Sequence, residues 1–99
     1  MLLIRDVMYC KPGKVRPLAK KFLAIAKITE AQGMGKMRVT TDVSAERFWT
    51  VVADFEVESF ESFMSMDKNL GQMKEMEEIM KDYHELVDYG RREIYTIEK

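Results

Sequence analysis

The chain has little cysteine, no long apolar run and almost no net charge. Cys10 is its only cysteine in 99 residues, which excludes an internal disulfide framework. Small secreted domains usually need such staples, so the expected location is the cytoplasm. No stretch approaches the roughly 18 consecutive apolar residues of a membrane span. The N-terminal MLLIRDVMY meets Arg5 and Asp6 at once and reads as no secretory signal. The formal net charge of −1 gives no long-range attraction to nucleic acid or to an anionic membrane, and neither is expected as a partner. His84 is the only histidine. His and Cys at metal-ligand spacing are absent, so no metal is expected, and no cofactor. Gly33-Met34-Gly35 opens no helix and makes no phosphate loop. Internal repeats, low-complexity segments and linkers are absent too.

Charged residues make up 33% of the chain and hydrophobic ones 46%, which suits one globular domain over residues 1–99. Nine residues are methionine. Methionine fills space flexibly, which suits adaptable cores and interfaces. Lys20-Lys21 and Arg91-Arg92 are the basic doublets, the first reading as a solvated helix face.

Arg47 to Val57, RFWTVVADFEV, reads as the central strand of a sheet. Trp49, Val51, Ala53, Phe55 and Val57 form one alternate set, all apolar. Phe48, Thr50, Val52, Asp54 and Glu56 form the other, which turns acidic. This period of two sets the first group against a core and the second on an open surface.

Leu2 to Cys10 is the first strand. Leu2, Ile4, Asp6 and Met8 share one side, and Leu3, Arg5, Val7 and Tyr9 the other. Each side carries one charge that needs a partner. After the turn at Lys11-Pro12-Gly13-Lys14, the three-four spacing of Val15, Leu18, Phe22, Ile25 and Thr29 predicts a helix to about Ala31. Pro17 suits its first turn and Gly33 its left-handed cap. Lys36 to Asp42 is a second strand, joined to the central one by a short polar connection suited to a hairpin. Ser59 is an N-cap, and Phe60, Phe63 and Met64 share one face of a short helix that Asp67 to Gly71 interrupts. Met73, Met76, Met80, Tyr83 and Val87 continue as a second helical run. Tyr89-Gly90 breaks it, and Arg91 to Ile97 is the last strand. The order is β-α-β-β-α-β, with the second helix broken. Two helices cannot cover both faces of a four-stranded antiparallel sheet, so they lie on one.

Leu2 to Tyr9, FWTVVADFEVESFESFMSM and YGRREIYTIE together give the chain a pattern that resembles the ferredoxin-like dimeric α/β-barrel superfamily, which includes antibiotic-biosynthesis monooxygenase-like and NIPSNAP-like proteins. The resemblance spans nearly the whole chain and rests on no invariant catalytic motif. It implies a homodimer, two sheets meeting open face to open face around an interior that holds a small molecule. Members include cofactor-independent oxygenases of aromatic polyketides, haem-degrading enzymes, lactone isomerases and proteins of no known activity, so the fold gives a menu of functions. The haem-degrading members use a helix-borne Trp and His with an Asn on the first strand. Here Trp49 falls on a strand and the first strand has no Asn, so haem degradation is disfavoured.

His84 and Asp54 are the candidates for catalysis. His84 reads as a general base at a helix-sheet cleft, or as a boundary histidine favoured by the helix dipole. Arg5, Tyr9, Arg38, Phe48, Thr50, Asp54, Glu93 and Tyr95 are the candidates for ligand contact. Arg5, Arg38, Asp54 and Glu93 would bring both signs of charge into an enclosed space, as the polar end of a cavity or as structural ion pairs. Tyr9, Phe48 and Tyr95 would line an apolar cavity or a dimer core. Cys10 reads as structural, with Lys11 lowering its thiol pKa slightly.

Three functions fit these residues. The first is a homodimer that binds a small, aromatic molecule in the barrel or the sheet-helix cavity and acts as a cofactor-independent monooxygenase-like enzyme. The second is a structural or interaction dimer with a filled barrel. The third, an RNA-binding ferredoxin-like module, lacks the Gly and aromatic positions of that signature in RFWTVVADF.

Overall fold

The computed structural model describes all residues from Met1 to Lys99. Its elements are β1 (Leu2–Cys10), α1 (Val15–Ala31), β2 (Met37–Thr41), β3 (Thr50–Val57), α2 (Phe60–Gly71), α3 (Lys74–Ile79), α4 (Tyr83–Leu86) and β4 (Val87–Thr96). The four strands form one antiparallel sheet in the order β2-β3-β1-β4. Its edges are β2 and β4, so the sheet is open. The helices cover one face, and the other is bare. This is the ferredoxin-like β-α-β-β-α-β arrangement that the sequence pattern predicts.

Side-chain period explains the layering. Ile4, Val51, Ala53 and Val57 point from the two central strands into the helix-covered core. Leu18, Ala19, Phe22, Ile25 and Thr29 form the buried stripe of α1. The Thr29 hydroxyl donates to the Ala26 carbonyl at 2.9 Å, so this buried polar group is satisfied. Two apolar clusters result, one around Leu18, Phe22 and Val51 and one around Ile4, Phe63 and Leu70. Gly33 has φ of +73°, as a left-handed helix cap requires.

Several local expectations are corrected. The central strand begins at Thr50, not Arg47. Trp49 has φ of +64°, a left-handed conformation rare for a bulky residue. It breaks the alternation, so Trp49 and Phe48 leave the sheet and are exposed. The connection from β2 thus runs from Asp42 to Trp49, and the Asp42 carboxylate closes it by accepting from the Thr50 amide at 2.9 Å. The second helical region breaks at Gln72-Met73, and α2 runs intact through Asp67 to Gly71. Its Ser59 cap does accept from the Ser62 amide, at 3.1 Å. Its buried stripe is Phe63, Met66 and Leu70, while Phe60 and Met64 are exposed. Tyr89 and Gly90 lie inside β4, because pairing with Tyr9 and Met8 holds them extended. Lys21 is half-buried rather than solvated. It donates to the last carbonyl of α3, that of Ile79, at 2.6 Å and ties α3 to α1.

Candidate ligand cavity and open sheet face

A cavity of about 270 Å³ separates the helices from the sheet. Nineteen residues line it and thirteen are hydrophobic, so its wall is mostly apolar. Six of those, Met8, Met34, Met37, Met66, Met76 and Met80, are methionines out of nine in the chain. The methionine excess is therefore concentrated on one surface. Flexible thioether chains form a wall that adjusts to shape. The volume is near the low end of ligand pockets, roughly 300–1,000 Å³.

Polar groups gather at one end. Asp6 projects from the helix-covered face of β1, opposite Arg92 on β4. Arg92 Nε and Nη2 donate to the two oxygens of Asp6 at 2.6 and 3.1 Å, a bidentate pair. The Arg92 guanidinium also lies 4.9 Å from the centroid of Phe63, which holds it flat against the apolar wall. The Asp6 hydrogen bond strengthens the guanidinium's hold on its proton. Tyr83 stands beside the pair, and its hydroxyl donates to the Met8 thioether at 3.1 Å. Sulfur is a weak acceptor, so this donor is free for a better one. Burial, with Asp6 second, pushes the Tyr83 phenol above its usual range. At neutral pH the phenol is a donor and not a base. Gly90 makes the arrangement fit, since a side chain there would fall inside contact distance of Met8 and within 3.0 Å of the Val7 carbonyl.

The bare face holds most of the residues singled out from sequence. Register places Arg5, Tyr9, Arg38, Thr50, Asp54, Glu93 and Tyr95 on it together. Arg38 Nε pairs with Asp54 at 3.2 Å. Arg91 Nε pairs with Glu93 at 2.8 Å, and the Tyr95 hydroxyl donates to Glu93 at 3.0 Å. The Arg91 bond, with Tyr95 second, holds the Glu93 carboxyl below its usual range. At one end of the face, Arg47 from the β2–β3 connection lies 4.9 and 5.0 Å from the ring centroids of Tyr9 and Tyr89. It also donates to the Tyr89 hydroxyl, and Arg91 donates to that of Tyr9. These two arginines cover Tyr9, which is buried although its strand face is bare. Thr50 is buried as well, its hydroxyl donating to the Arg47 carbonyl at 2.8 Å.

Phe48 stands apart in the connection, 84% exposed. His84 is exposed on α4, edge-on to Tyr83 at 5.3 Å, and does not line the cavity. None of the eight ligand candidates lines the cavity either. Sequence reasoning missed Asp6, Tyr83 and Arg92 as a group. The available signal was Asp6, the one charge among Leu2, Ile4 and Met8 on its strand side. Cys10 is buried, and burial, with Asp42 second, pushes its thiol up to about 11. The expected lowering by Lys11 is corrected, since desolvation of the thiolate dominates.

No helix is long and apolar enough to cross a membrane. No protein-family model matches the sequence, and no curated protein matches it. Solved structures do. An uncharacterised NIPSNAP-like domain protein from Burkholderia xenovorans superposes with a TM-score of 0.81 at 15% identity, over 97% of this chain and 84% of that one. A NIPSNAP family protein from Agrobacterium tumefaciens gives 0.81 at 10% identity, over 96% and 90%. A candidate antibiotic biosynthesis monooxygenase from Deinococcus radiodurans gives 0.71 at 10% identity, over 100% and 94%. The chain therefore has the ferredoxin-like fold shared by NIPSNAP-like and antibiotic-biosynthesis monooxygenase-like proteins.

Proposed function

We propose that this protein is a homodimer that binds a small, uncharged, ring-containing molecule in the helix-sheet cavity of each protomer. The observation that carries the reading is the cavity itself, with an adjustable methionine wall and one polar end at Asp6, Arg92 and Tyr83. Asp6 and Arg92 neutralise each other, and Asp67 lies in the same wall and acts on Arg92, so the polar end offers no free positive charge to a ligand. The Tyr83 phenol offers a donor whose present partner is only a thioether. An apolar ring bearing one oxygen acceptor satisfies both conditions: its rings meet the methionines and its oxygen takes the Tyr83 hydrogen bond. An anionic ligand would have to break the Asp6–Arg92 pair first. Dimerisation would join the bare faces. The Deinococcus radiodurans protein of the same fold is described as a candidate antibiotic biosynthesis monooxygenase, and the reading extends to monooxygenase-like chemistry on such a molecule, with the chain's own part being to bind and orient it.

Methionine-methyl NMR tests the reading. With methionine methyls labelled, titration with a naphthol, an uncharged bicyclic phenol, should shift the six cavity methionines and leave Met1 and Met64 in place. The anion naphthoate should bind more weakly by roughly tenfold or more, because it must compete with Asp6. Unmoved cavity methyls at saturating naphthol would contradict the proposal, as would tighter binding of naphthoate.

A further inference from the structure

Where β1 and β3 meet the β2–β3 connection, hydrogen-bond donors gather without acceptors. Tyr9 is next to last in β1, Tyr89 faces it from β4, and Arg47 reaches over both rings from the connection. The ring centroids of the two tyrosines are 4.9 Å apart. Arg47 donates to the Tyr89 hydroxyl and Arg91 to the Tyr9 hydroxyl. Each phenol oxygen already serves as an acceptor, and its own proton has no acceptor on the protein. Tyr9 is only 4% exposed, so bulk water has little access to that proton.

Charge is unmatched in the same direction. Arg91 gives its Nε to Glu93, which also takes the Tyr95 hydroxyl, so that carboxylate is occupied. Arg47 has no carboxylate partner. The Nη2 groups of both arginines are unused. The cluster therefore needs oxygen acceptors that carry negative charge. A carboxylate offers two oxygens in one plane. The donors here come from four side chains on three segments of chain, which suits the three oxygens of a phosphate monoester better.

The other side of Arg47 says what the ester carries. A shallow pocket of about 380 Å³ lies there, lined by Ala45, Glu46, Arg47, Phe48 and Trp49. Phe48 and Trp49 are exposed, and Trp49 is held outward by its left-handed backbone. Both rings offer a stacking surface. Glu46 in the wall repels an anion, so the phosphate belongs on the tyrosine side and an uncharged ring on this side.

We propose that this end of the sheet is a second binding site, for a small aryl phosphate monoester. Its phosphate sits against Arg47, Arg91 and the two tyrosine hydroxyls, and its ring against Phe48 and Trp49. The site shares no residue with the helix-sheet cavity and stands apart from the reading given for it.

Titration calorimetry at low ionic strength tests the site with phenyl phosphate, methyl phosphate and benzoate. Phenyl phosphate should bind tightest, and each of the others more weakly by roughly tenfold or more. Trp49 is the only tryptophan, so its fluorescence should change as phenyl phosphate saturates the site. Arg47→Ala and Arg91→Ala should each weaken phenyl phosphate by roughly tenfold. Arg47→Lys should not restore it, because an ammonium lacks the guanidinium fork. Phe48→Ala, a change at an exposed side chain, should bring phenyl phosphate down to methyl phosphate and leave methyl phosphate where it was. Naphthol should still shift the cavity methionines in Arg47→Ala, so failure of one site is distinguishable from failure of the other. Millimolar phenyl phosphate that produces neither heat nor a change in Trp49 fluorescence would overturn the proposal. So would benzoate that binds as tightly, or phenyl phosphate binding that survives Arg47→Ala.

Discussion

On the helix-covered face of this sheet, Asp6 and Arg92 form a closed bidentate pair at the end of a methionine-lined cavity. On the bare face, Asp54 pairs with Arg38 and Glu93 with Arg91, while Arg5 between the two carboxylates keeps an unpartnered nitrogen. Both faces come from the same strands, and the same alternation generates each. The first face is covered by helices within one chain and its two charges are matched, although the Tyr83 hydroxyl there has only a thioether as partner. The second is covered by no helix and leaves the Arg5 Nε without a partner. The difference teaches that one strand pair can build two unlike surfaces at once, because successive residues answer to different surroundings.

The largest effect should come from neighbouring residues on opposite faces. Ile4 is fully buried, and Ile4→Ala should cost roughly 3–4 kcal/mol, as for other large-to-small core changes. Leu3, one position earlier, points to the bare face. Leu3→Ala should cost less than about 1 kcal/mol in dilute monomer, with a larger loss at concentrations where dimers form. Urea melts at two protein concentrations measure both. Equal losses at high dilution would mean that the bare face is covered within the single chain.

Cys10 provides a smaller test on the helix-covered side. Its thiol is raised to about 11 by burial, with Asp42 second, whereas in the unfolded chain it titrates near the ordinary thiol value of 9.0. The folded state therefore holds the proton more tightly between these values. Stability contributed by the neutral thiol is fully present below pH ~9 and is lost as pH rises toward ~11, by at most about 2–3 kcal/mol. Cys10→Val should flatten this slope, as read from urea midpoints across that pH range. An unchanged slope would remove Cys10 as its source.

The smallest effect belongs to the rim of the bare face. Arg38 has a side chain 75% exposed, and exposed pairs contribute little. Arg38→Ala should change monomer stability by about 0.5 kcal/mol or less, since Arg5 stands ready to take the freed carboxylate. A loss of several kcal/mol would show that the charges of the bare face are a structural network of the protomer and would sharpen the contrast against us.

Much of this was legible in the residues. The alternation of Leu2 to Cys10 and the three-four stripe from Val15 to Thr29 specify their elements, and both have the expected bounds. Period two puts Arg38 and Asp54 on the polar sides of their strands, but only the register of β1 and β4 brings Arg5 and Glu93 onto the same surface. What was not legible depends on pairing between distant segments. Tyr89-Gly90 looks like a helix break, but pairing with Tyr9 and Met8 draws both into β4. Trp49 looks like strand core, but a left-handed backbone, invisible to pattern, turns it outward. The cavity's polar end stayed hidden for the same reason. Asp6 and Arg92 are 86 positions apart, and only the β1–β4 register makes them partners.

Native mass spectrometry of the protein purified from its producing cells tests the central claim most directly, because one spectrum reports both faces. The account predicts a dimer that carries one small non-protein mass per protomer, the uncharged ring compound of the cavity. A monomer without added mass, under conditions that preserve other weak dimers, would contradict it.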